Sequence, residues 1–561
     1  MIDDLWYKNA LIYSLDLETF MDADGNGVGD FEGLIRRLDY LETLGVDVLW
    51  IAPFQKTPNR DNGYDVSDFY TVDERHGTGG DFVELVQQVS KRGMRVILDL
   101  VANHTSDAHP WFQASRSDPS SKYREWYVWS RKRPPDWDKG LVFPGEQKST
   151  WTWDREARAY YFHRFYDFQP DLNMENPDVR AEVLRMIGFW TQLGASGFRV
   201  DALPFLIEKP AVDGAKSSLR FEYLREIRSF LQWRAGDAIL LGEANVLPEE
   251  AGRYFNGGNG IHMMFNFWVN QHLFYGLASR DVRPLIAALR ATRSLPPTAQ
   301  WAQFLRNHDE LDLGRLAPEQ RDVVFEHFGP DPAMQLYDRG LRRRLASMLG
   351  DRPHLHLAYS VLFSLPGTPV IRYGDEIGMG ENLELNGRDA VRTPMQWANE
   401  RSAGFSTADR LVHPVIAEGP FGYPHVNVED QHRDPSSLLR WMQRMIRLRK
   451  ECPEIGWGEW DVLPARSPHV LAMAYVWRGS AVVVVHNFDE RPHEVRLRTT
   501  VPGGETLIDL LEENESRADA RGTHRLAVDA HGYRWFRAGT LNYALQRGRT
   551  AEEGGRPAKK K

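Results

Sequence analysis

A single cysteine, Cys452, stands among the 561 residues. Neither an internal disulfide nor a cysteine-based zinc site can be built from it, so the fold does not depend on an oxidising compartment. No stretch reaches the roughly 18–20 consecutive apolar residues of a membrane span. The opening MIDDLWYKNALIYSLD is acidic where a secretory leader carries positive charge ahead of an apolar run. These absences lead to the expectation of a soluble, cytoplasmic protein with no membrane partner. Positive charge is not in excess either: 69 Lys and Arg against 78 Asp and Glu give −9. That balance speaks against a nucleic-acid partner, whose phosphates are held by clustered cations. No glycine-rich loop is placed between a strand and a helix as a phosphate cradle requires, and GGNG (257–260) reads as a plain loop. No organic cofactor is therefore expected.

Aromatics, in contrast, are plentiful: 18 Trp, 20 Tyr and 27 Phe. Such rings fill cores, but they also stack on the apolar C–H faces of sugars. At more than three times the length of a domain of roughly 150 residues, the chain is expected to hold several domains. Eight short β-rich runs recur, most of them followed by helical patterns: 10–16, 46–51, 94–100, 197–203, 238–244, 262–267, 301–305 and 368–374. Runs apolar nearly throughout suit parallel strands covered on both faces. Between them FEGLIRRLDYLETLG and DFVELVQQVSKRG read as helices closed by glycine. The alternation predicts an α/β fold, a (β/α)₈ TIM barrel over 1–103 and 173–455.

About a hundred residues separate the third run from the fourth, and 104–172 is rich in Trp, Tyr, Pro and Asp. It is expected to be an inserted subdomain beside the barrel mouth. A second excursion, 311–350, reads as helical and as a candidate lid. After the amphipathic LLRWMQRMIRLRKEC the period shifts to that of strands, which places a C-terminal antiparallel β-sandwich at about 460–540. The tail 547–561 lacks an apolar face and is expected to be disordered.

In a barrel of this kind the side chains just beyond the strand ends share one pocket. Those positions carry Asp99, Asn103 and His104, then Arg199 and Asp201, then Glu243, then His308 and Asp309. Any one acid at a strand end more often caps a helix or makes a salt bridge than it catalyses. Their convergence is the stronger signal. DLVANH (99–104), GFRVDA (197–202), LLGEAN (240–245) and FLRNHD (304–309) resemble, in the right order, the four signature segments of the α-amylase superfamily, glycoside hydrolase family 13. The resemblance runs from about residue 5 to 540. It implies Asp201 as nucleophile, Glu243 as general acid/base and Asp309 as the carboxylate that favours the distorted sugar.

Retaining glycoside chemistry explains the residue types: one ionised carboxylate attacks the anomeric carbon while a protonated one about 5–5.5 Å away delivers a proton to the leaving oxygen. Arg199, two residues before Asp201 on one strand face, is placed to keep it ionised. The same resemblance implies Tyr64 as the ring under the glucose being cleaved, and Asp61 with Arg392 as the pair gripping its far edge. It also implies His104 and His308 as hydrogen-bond donors to sugar hydroxyls, metal ligation being the alternative for these two. In DADGNGVGD (22–30), Asp22, Asp24, Asn26 and Asp30 set hard oxygens around a tight turn, as Ca²⁺ prefers. A turn held only by its own side chains is the plain alternative. The resemblance favours structural Ca²⁺ there, and a second site using Asn103 and Asp171.

Within the superfamily, YYFHRFYDFQPDLN, GFWTQLGASGFRVDALPFLIE and RYGDEIGMGENL are most similar to the members that rearrange maltose into trehalose by intramolecular glucosyl transfer. A small α-glucoside is thus the expected partner. Two alternatives stay open: an α-glucosidase that hydrolyses terminal glucose, and a sugar-binding or transporter-partner protein without catalysis. The presence of all three carboxylates weighs against the second.

Overall fold

The computed structural model describes residues 3–210, 217–512 and 514–539. The tail 547–561, expected to be disordered, lies outside them. Eight parallel strands close into a barrel: β1 (Ile12–Leu15), β2 (Val48–Ile51), β3 (Arg95–Leu100), β4 (Gly197–Val200), β5 (Ile239–Gly242), β6 (Met263–Phe265), β7 (Gln300–Phe304) and β8 (Thr368–Arg372). Each pairs with its sequence neighbours, and β1 closes the ring against β8 with Ile12 beside Val370. All eight coincide with the apolar runs of the sequence.

Alternation along each strand decides what points where. Ile12, Val48, Ile97, Ile239, Met263 and Val370 meet inside the barrel. Their neighbours Tyr13, Leu49, Leu98, Leu240, Met264 and Ile371 pack outward under the helices. In β4 the outward residues are Phe198 and Val200, so Arg199 between them faces inward, and Asp201 continues on the same side. The same alternation turns Asp99 inward, between Leu98 and Leu100.

The helix expected over FEGLIRRLDYLETLG is two helices, Phe31–Arg36 and Leu38–Leu44. They break at Arg37, whose guanidinium stacks 4.2 Å from the centroid of the Trp397 ring. Tertiary packing, not a local breaker, makes that kink. The helix at Gly79–Lys91 is as expected and carries a reciprocal cap between Thr78 and Asp81.

The insertion leaves and returns through one bridge, His104 against Asp171. It contains the helix Pro110–Ser117 and a three-stranded antiparallel sheet of Trp129–Ser130, Trp151–Asp154 and Ala159–Phe162. The 311–350 excursion is only partly helical. Beside the helix Pro318–Phe328 it folds Leu311–Asp312, Gln335–Leu336 and Gly340–Leu341 into a small antiparallel sheet. Two-residue strands leave no periodic trace, so the sequence reading missed them.

Beyond the helix Leu438–Glu451 lie a six-stranded antiparallel sheet and a two-stranded ribbon, His493–Arg498 with Thr523–Val528. Its strand Ser480–Asn487 is apolar on both sides for a reason. Val483 and Val485 pack with Val495, Leu497 and Leu526 of the ribbon. Val482 and Val484 belong to the core shared with the barrel helices. Side-chain bonds tie the domain to the helix Arg352–Ser364: Trp535 Nε1 donates to Ser360 Oγ at 2.9 Å, the Tyr475 hydroxyl donates to the Ser364 carbonyl, and His486 Nε2 lies 3.0 Å from Ser360 Oγ. Among the described residues no helix is long and apolar enough to cross a membrane.

Candidate active site

Arg199 is the hub of the barrel mouth. Its NH1 lies 2.5 Å from Asp99 and 2.6 Å from Asp201, and its NH2 lies 2.7 Å from Glu243. The guanidinium is 1% exposed, so these ion pairs act with little screening. Asp99 Oδ2 also accepts from Trp50 Nε1 at 2.8 Å. Directly after Asp201 the chain turns through a left-handed residue, Ala202, at φ +48°. A non-glycine residue adopts this region at some cost. Here the turn aims the Ala202 N–H at Glu243 Oε2, 3.1 Å away.

Burial raises the carboxyl of Asp201 to about 6, Arg199 opposing and Asp99 and Asp309 adding to it. Burial likewise pushes Glu243 up to about 7, against Arg199 and with the help of Asp201 and Asp309. Asp309 goes the other way. Burial works to raise it, but Arg388 at 3.0 Å and Arg392 at 3.1 Å outweigh that and hold it far below the usual carboxylate range. The site therefore contains one firmly ionised acid and two that exchange protons near neutrality, the division of labour that acid/base and nucleophilic work needs.

The structure brings the expected sugar contacts together with one difference. Tyr64, His104, His308 and Asp61 line a cavity of about 440 Å³ with the three carboxylates. Tyr64 and His308 lie parallel, 5.5 Å between centroids, joined by Tyr64 Oη and His308 Nε2 at 2.9 Å. Burial lowers His308 to about 3 and His104 to about 4, so both are neutral at physiological pH. His104 Nε2 meets the Tyr64 carbonyl at 2.9 Å. Asp61 is raised to about 6 by burial and accepts from Gln169 Nε2 at 2.8 Å. Arg392 does not pair with Asp61. It lies beneath the cavity, 2% exposed, held by Asp309 and by the His308 carbonyl at 2.9 Å. The arginines that line the cavity are Arg315, Arg339 and Arg388, the last of which also binds Glu310 at 2.8 Å.

Two segments distant in sequence meet over this cavity. Arg339 NH2 donates to the Val142 carbonyl at 2.8 Å. The rings of Tyr337 and Phe143 lie 4.9 Å apart, and the hydroxyls of Tyr337 and Tyr166 are 3.4 Å apart. The 311–350 excursion thus touches the insertion across the mouth, as a lid would.

The α-amylase catalytic-domain family model matches residues 14–323 and 340–458. The chain belongs to the α-amylase family. A model for the C-terminal domain of sucrose hydrolase-like proteins matches 479–537. A trehalose synthase of Thermus thermophilus is 42% identical over 95% of this chain, which spans 56% of that protein's length. The trehalose synthase of a Pimelobacter species is 40% identical, covering 95% of this chain and 96% of its own. More distant is the oligo-1,6-glucosidase of Parageobacillus thermoglucosidasius, 31% identical over 88% and 92%. Among solved structures, the trehalulose synthase of Pseudomonas mesoacidophila superposes with a TM-score of 0.75, at 26% identity over 95% of this chain and 99% of that one. This α-amylase-family enzyme departs from the family model at 324–339, the stretch that carries Tyr337 and Arg339.

Residues that sequence reasoning passed over are Arg388, Gln169, Phe143 and Tyr337. Their places in or beside the pocket are defined only by the folded chain. Two left a trace: Arg388, four residues before Arg392 in GRDAVRT, and Gln169, within YYFHRFYDFQPDLN. The expected metal residues fall in two places. The carboxylate oxygens of Asp22, Asp24 and Asp30 lie within 4.8 Å of one another. Asn26 is in the same loop, its amide bonded to Asp24 Oδ2 at 3.1 Å. At the base of the insertion Asn103 and Asp171 do meet, but the Asp171 Oδ1 accepts from the Arg164 N–H at 2.9 Å.

Proposed function

We propose that the enzyme interconverts maltose and trehalose by intramolecular glucosyl transfer. Asp201 attacks the anomeric carbon of the terminal glucose, and its C–O bond to the protein forms as the glycosidic bond breaks. Glu243 gives its proton to the leaving oxygen. Asp309, ionised throughout, faces the positive charge that develops on the ring. The released glucose stays, turns, and attacks through its own anomeric hydroxyl, whose proton returns to Glu243. No water is consumed, and configuration is retained.

Hydrolysis uses the same carboxylates, so the catalytic residues do not separate the two reactions. The observation that carries transfer over hydrolysis is the roof. The contacts of Tyr337 and Arg339 with Phe143 and Val142 bridge part of the mouth above the carboxylates, which supports reduced access of water to the covalent intermediate while glucose turns. A volume of about 440 Å³ suits a disaccharide. Incubation with maltose, followed by anomeric proton NMR, tests the reading. Trehalose should dominate with little glucose, whereas glucose with almost no trehalose would make the enzyme an α-glucosidase.

The loop 22–30 suits structural Ca²⁺. Asp22, Asp24 and Asp30 supply hard carboxylate oxygens at the mutual spacing found within one coordination shell. Asn26 stands beside them to supply a fourth. Asp22 also accepts from the N–H groups of Gly25 and Gly27, both at 2.8 Å. When bound, the ion cross-links the loop and takes no part in the chemistry. The same physics supports Asn103 and Asp171 less, since one acid there is already engaged.

A further inference from the structure

Glu18 sits in the short turn Leu17–Thr19 after β1 and is 7% exposed. A carboxylate this far out of water needs partners, and it has three. Asn59 Nδ2 donates to Oε2 and Asn62 Nδ2 to Oε1, each at 3.3 Å. Arg75 NH1 lies 3.7 Å from Oε2. Both asparagines belong to the loop 57–65, which delivers Asp61 and Tyr64 to the catalytic cavity. Glu18 itself lines a separate, small cavity below, with the undersides of Tyr64, His308 and Arg392.

Asn59 and Asn62 have left-handed backbones, with φ of +59° and +46°. Asparagine tolerates that region, so backbone conformation alone would explain finding it at both positions. It does not explain why both amides converge on one buried carboxylate. The loop already has an internal clasp: Asp65, fully buried, accepts from Thr57 Oγ1 at 2.9 Å and from the N–H groups of Arg60 and Asp61 at 3.1 Å. All those partners lie within the loop, so the clasp fixes its shape and not its height above the barrel. Gln169 on Asp61, His104 on the Tyr64 carbonyl and Asp107 on Arg60 hold the loop from the side of the insertion; Glu18, in the turn that follows β1, holds it from the side of the barrel.

We propose that Glu18 is a positioning residue for binding of the terminal glucose. Through Asn59 and Asn62 it holds the loop 57–65 in place, and through the loop it places Asp61 and Tyr64. The proposal rests on the glucoside-processing reading above. It assigns Glu18 to ground-state recognition of the sugar, not to bond breaking.

The test compares wild type, Glu18→Gln, the pair Asn59→Gly with Asn62→Gly, and all three changes together. Glycine keeps the left-handed backbone and removes only the amides; glutamine keeps the volume but leaves one acceptor oxygen. Calorimetric binding of 1-deoxynojirimycin, a glucose-shaped cation, is measured beside maltose kinetics. For residues sharing one network, Glu18→Gln should weaken the inhibitor and raise KM about tenfold with kcat within about threefold. The asparagine pair should do the same, and the triple variant no more. Wild-type affinity in the asparagine pair, losses that multiply in the triple variant, or a lowered Tm with unchanged affinity would overturn the proposal. If Glu18→Gln fails to fold, the asparagine pair decides alone. A wild-type enzyme that does not bind the inhibitor removes the glucoside reading and the proposal together, whereas variants that bind as well as a binding wild type remove the proposal alone.

Discussion

One guanidinium, that of Arg199, donates to Asp201 at 2.6 Å and to Glu243 at 2.7 Å. Nucleophile and acid/base are therefore not independent groups. With Asp99 at 2.5 Å, three buried acids share a single cation, and full ionisation of all three would leave uncompensated charge in a medium that solvates it poorly. Their raised proton affinities follow from that arithmetic.

The first prediction concerns pH. Asp201 must be ionised to attack, so activity falls as pH drops through its raised value of about 6. Glu243 must be protonated to release the leaving group, so activity falls as pH rises through about 7. A narrow bell in kcat/KM for maltose is expected, its limbs belonging to the coupled pair. Glu243→Gln should lower kcat by about 10²–10⁴. A variant that keeps more than about a tenth of the rate would remove Glu243 from that role, since general acid–base catalysis contributes far more than tenfold.

Removal of the hub should be felt in stability as well as in rate. Arg199→Gln leaves three buried carboxyls without their cation, a loss of about 3–5 kcal/mol when they are charged. Asp99 is itself raised to about 6 by burial. All three acids take up protons as pH falls, which relieves the repulsion, so the Tm deficit against wild type should widen from pH 5 to pH 8. A deficit independent of pH in thermal melts would contradict this account.

The roof makes its own forecast. Arg339→Ala removes the bond to the Val142 carbonyl and the cation 3.7 Å from Asp312, and leaves the carboxylates alone. The glucose-to-trehalose product ratio should rise by about threefold to tenfold, the equivalent of one lost hydrogen bond of about 1 kcal/mol. An unchanged ratio by NMR would mean that water is excluded by something else.

The proposed ion at the loop 22–30 should act at a distance from the chemistry. Chelation is expected to lower Tm by several degrees while the pH profile keeps its shape, because a ligand that binds only the folded state stabilises it by mass action. Asp24 is exposed, and its carboxylate accepts in the loop from Asn26. Asp24→Ala should therefore fold and abolish the chelator effect, whereas equal chelator sensitivity in that variant would place the ion elsewhere.

The C-terminal domain should prove inseparable from the barrel. Trp535 is fully buried and bonded to Ser360 across the interface. Trp535→Ala should cost about 3–5 kcal/mol, seen as one lowered transition in calorimetry. Two separate transitions would show instead that the domain melts independently.

The barrel was legible because parallel strands buried on both faces read as unbroken apolar runs, of which MRVILDL and TPVIRYG are plain examples. Asp201 and Glu243 were legible because strand ends in a barrel share one mouth. What escaped was set by contact across the sequence. Arg37 stacks on Trp397 and splits a helix whose own pattern is continuous. Arg388, not Arg392, faces the sugar cavity, although the two stand one helical turn apart in the sequence. Tyr337 and Asp338 are both left-handed without being glycine, so no turn signal announced the small sheet that brings Tyr337 to the mouth.

The contact between Arg339 and the Val142 carbonyl joins segments almost two hundred residues apart at the mouth, so a sugar that enters or leaves on that side has to pass it. The interconversion makes one glucosidic bond for each it breaks, so substrate and product differ little in free energy and the chemistry itself does nothing to expel the product. The rhythm of turnover then belongs to the door. An enzyme made this way trades speed for fidelity, and it should run measurably slower in a thick medium such as glycerol while making fewer mistakes with water.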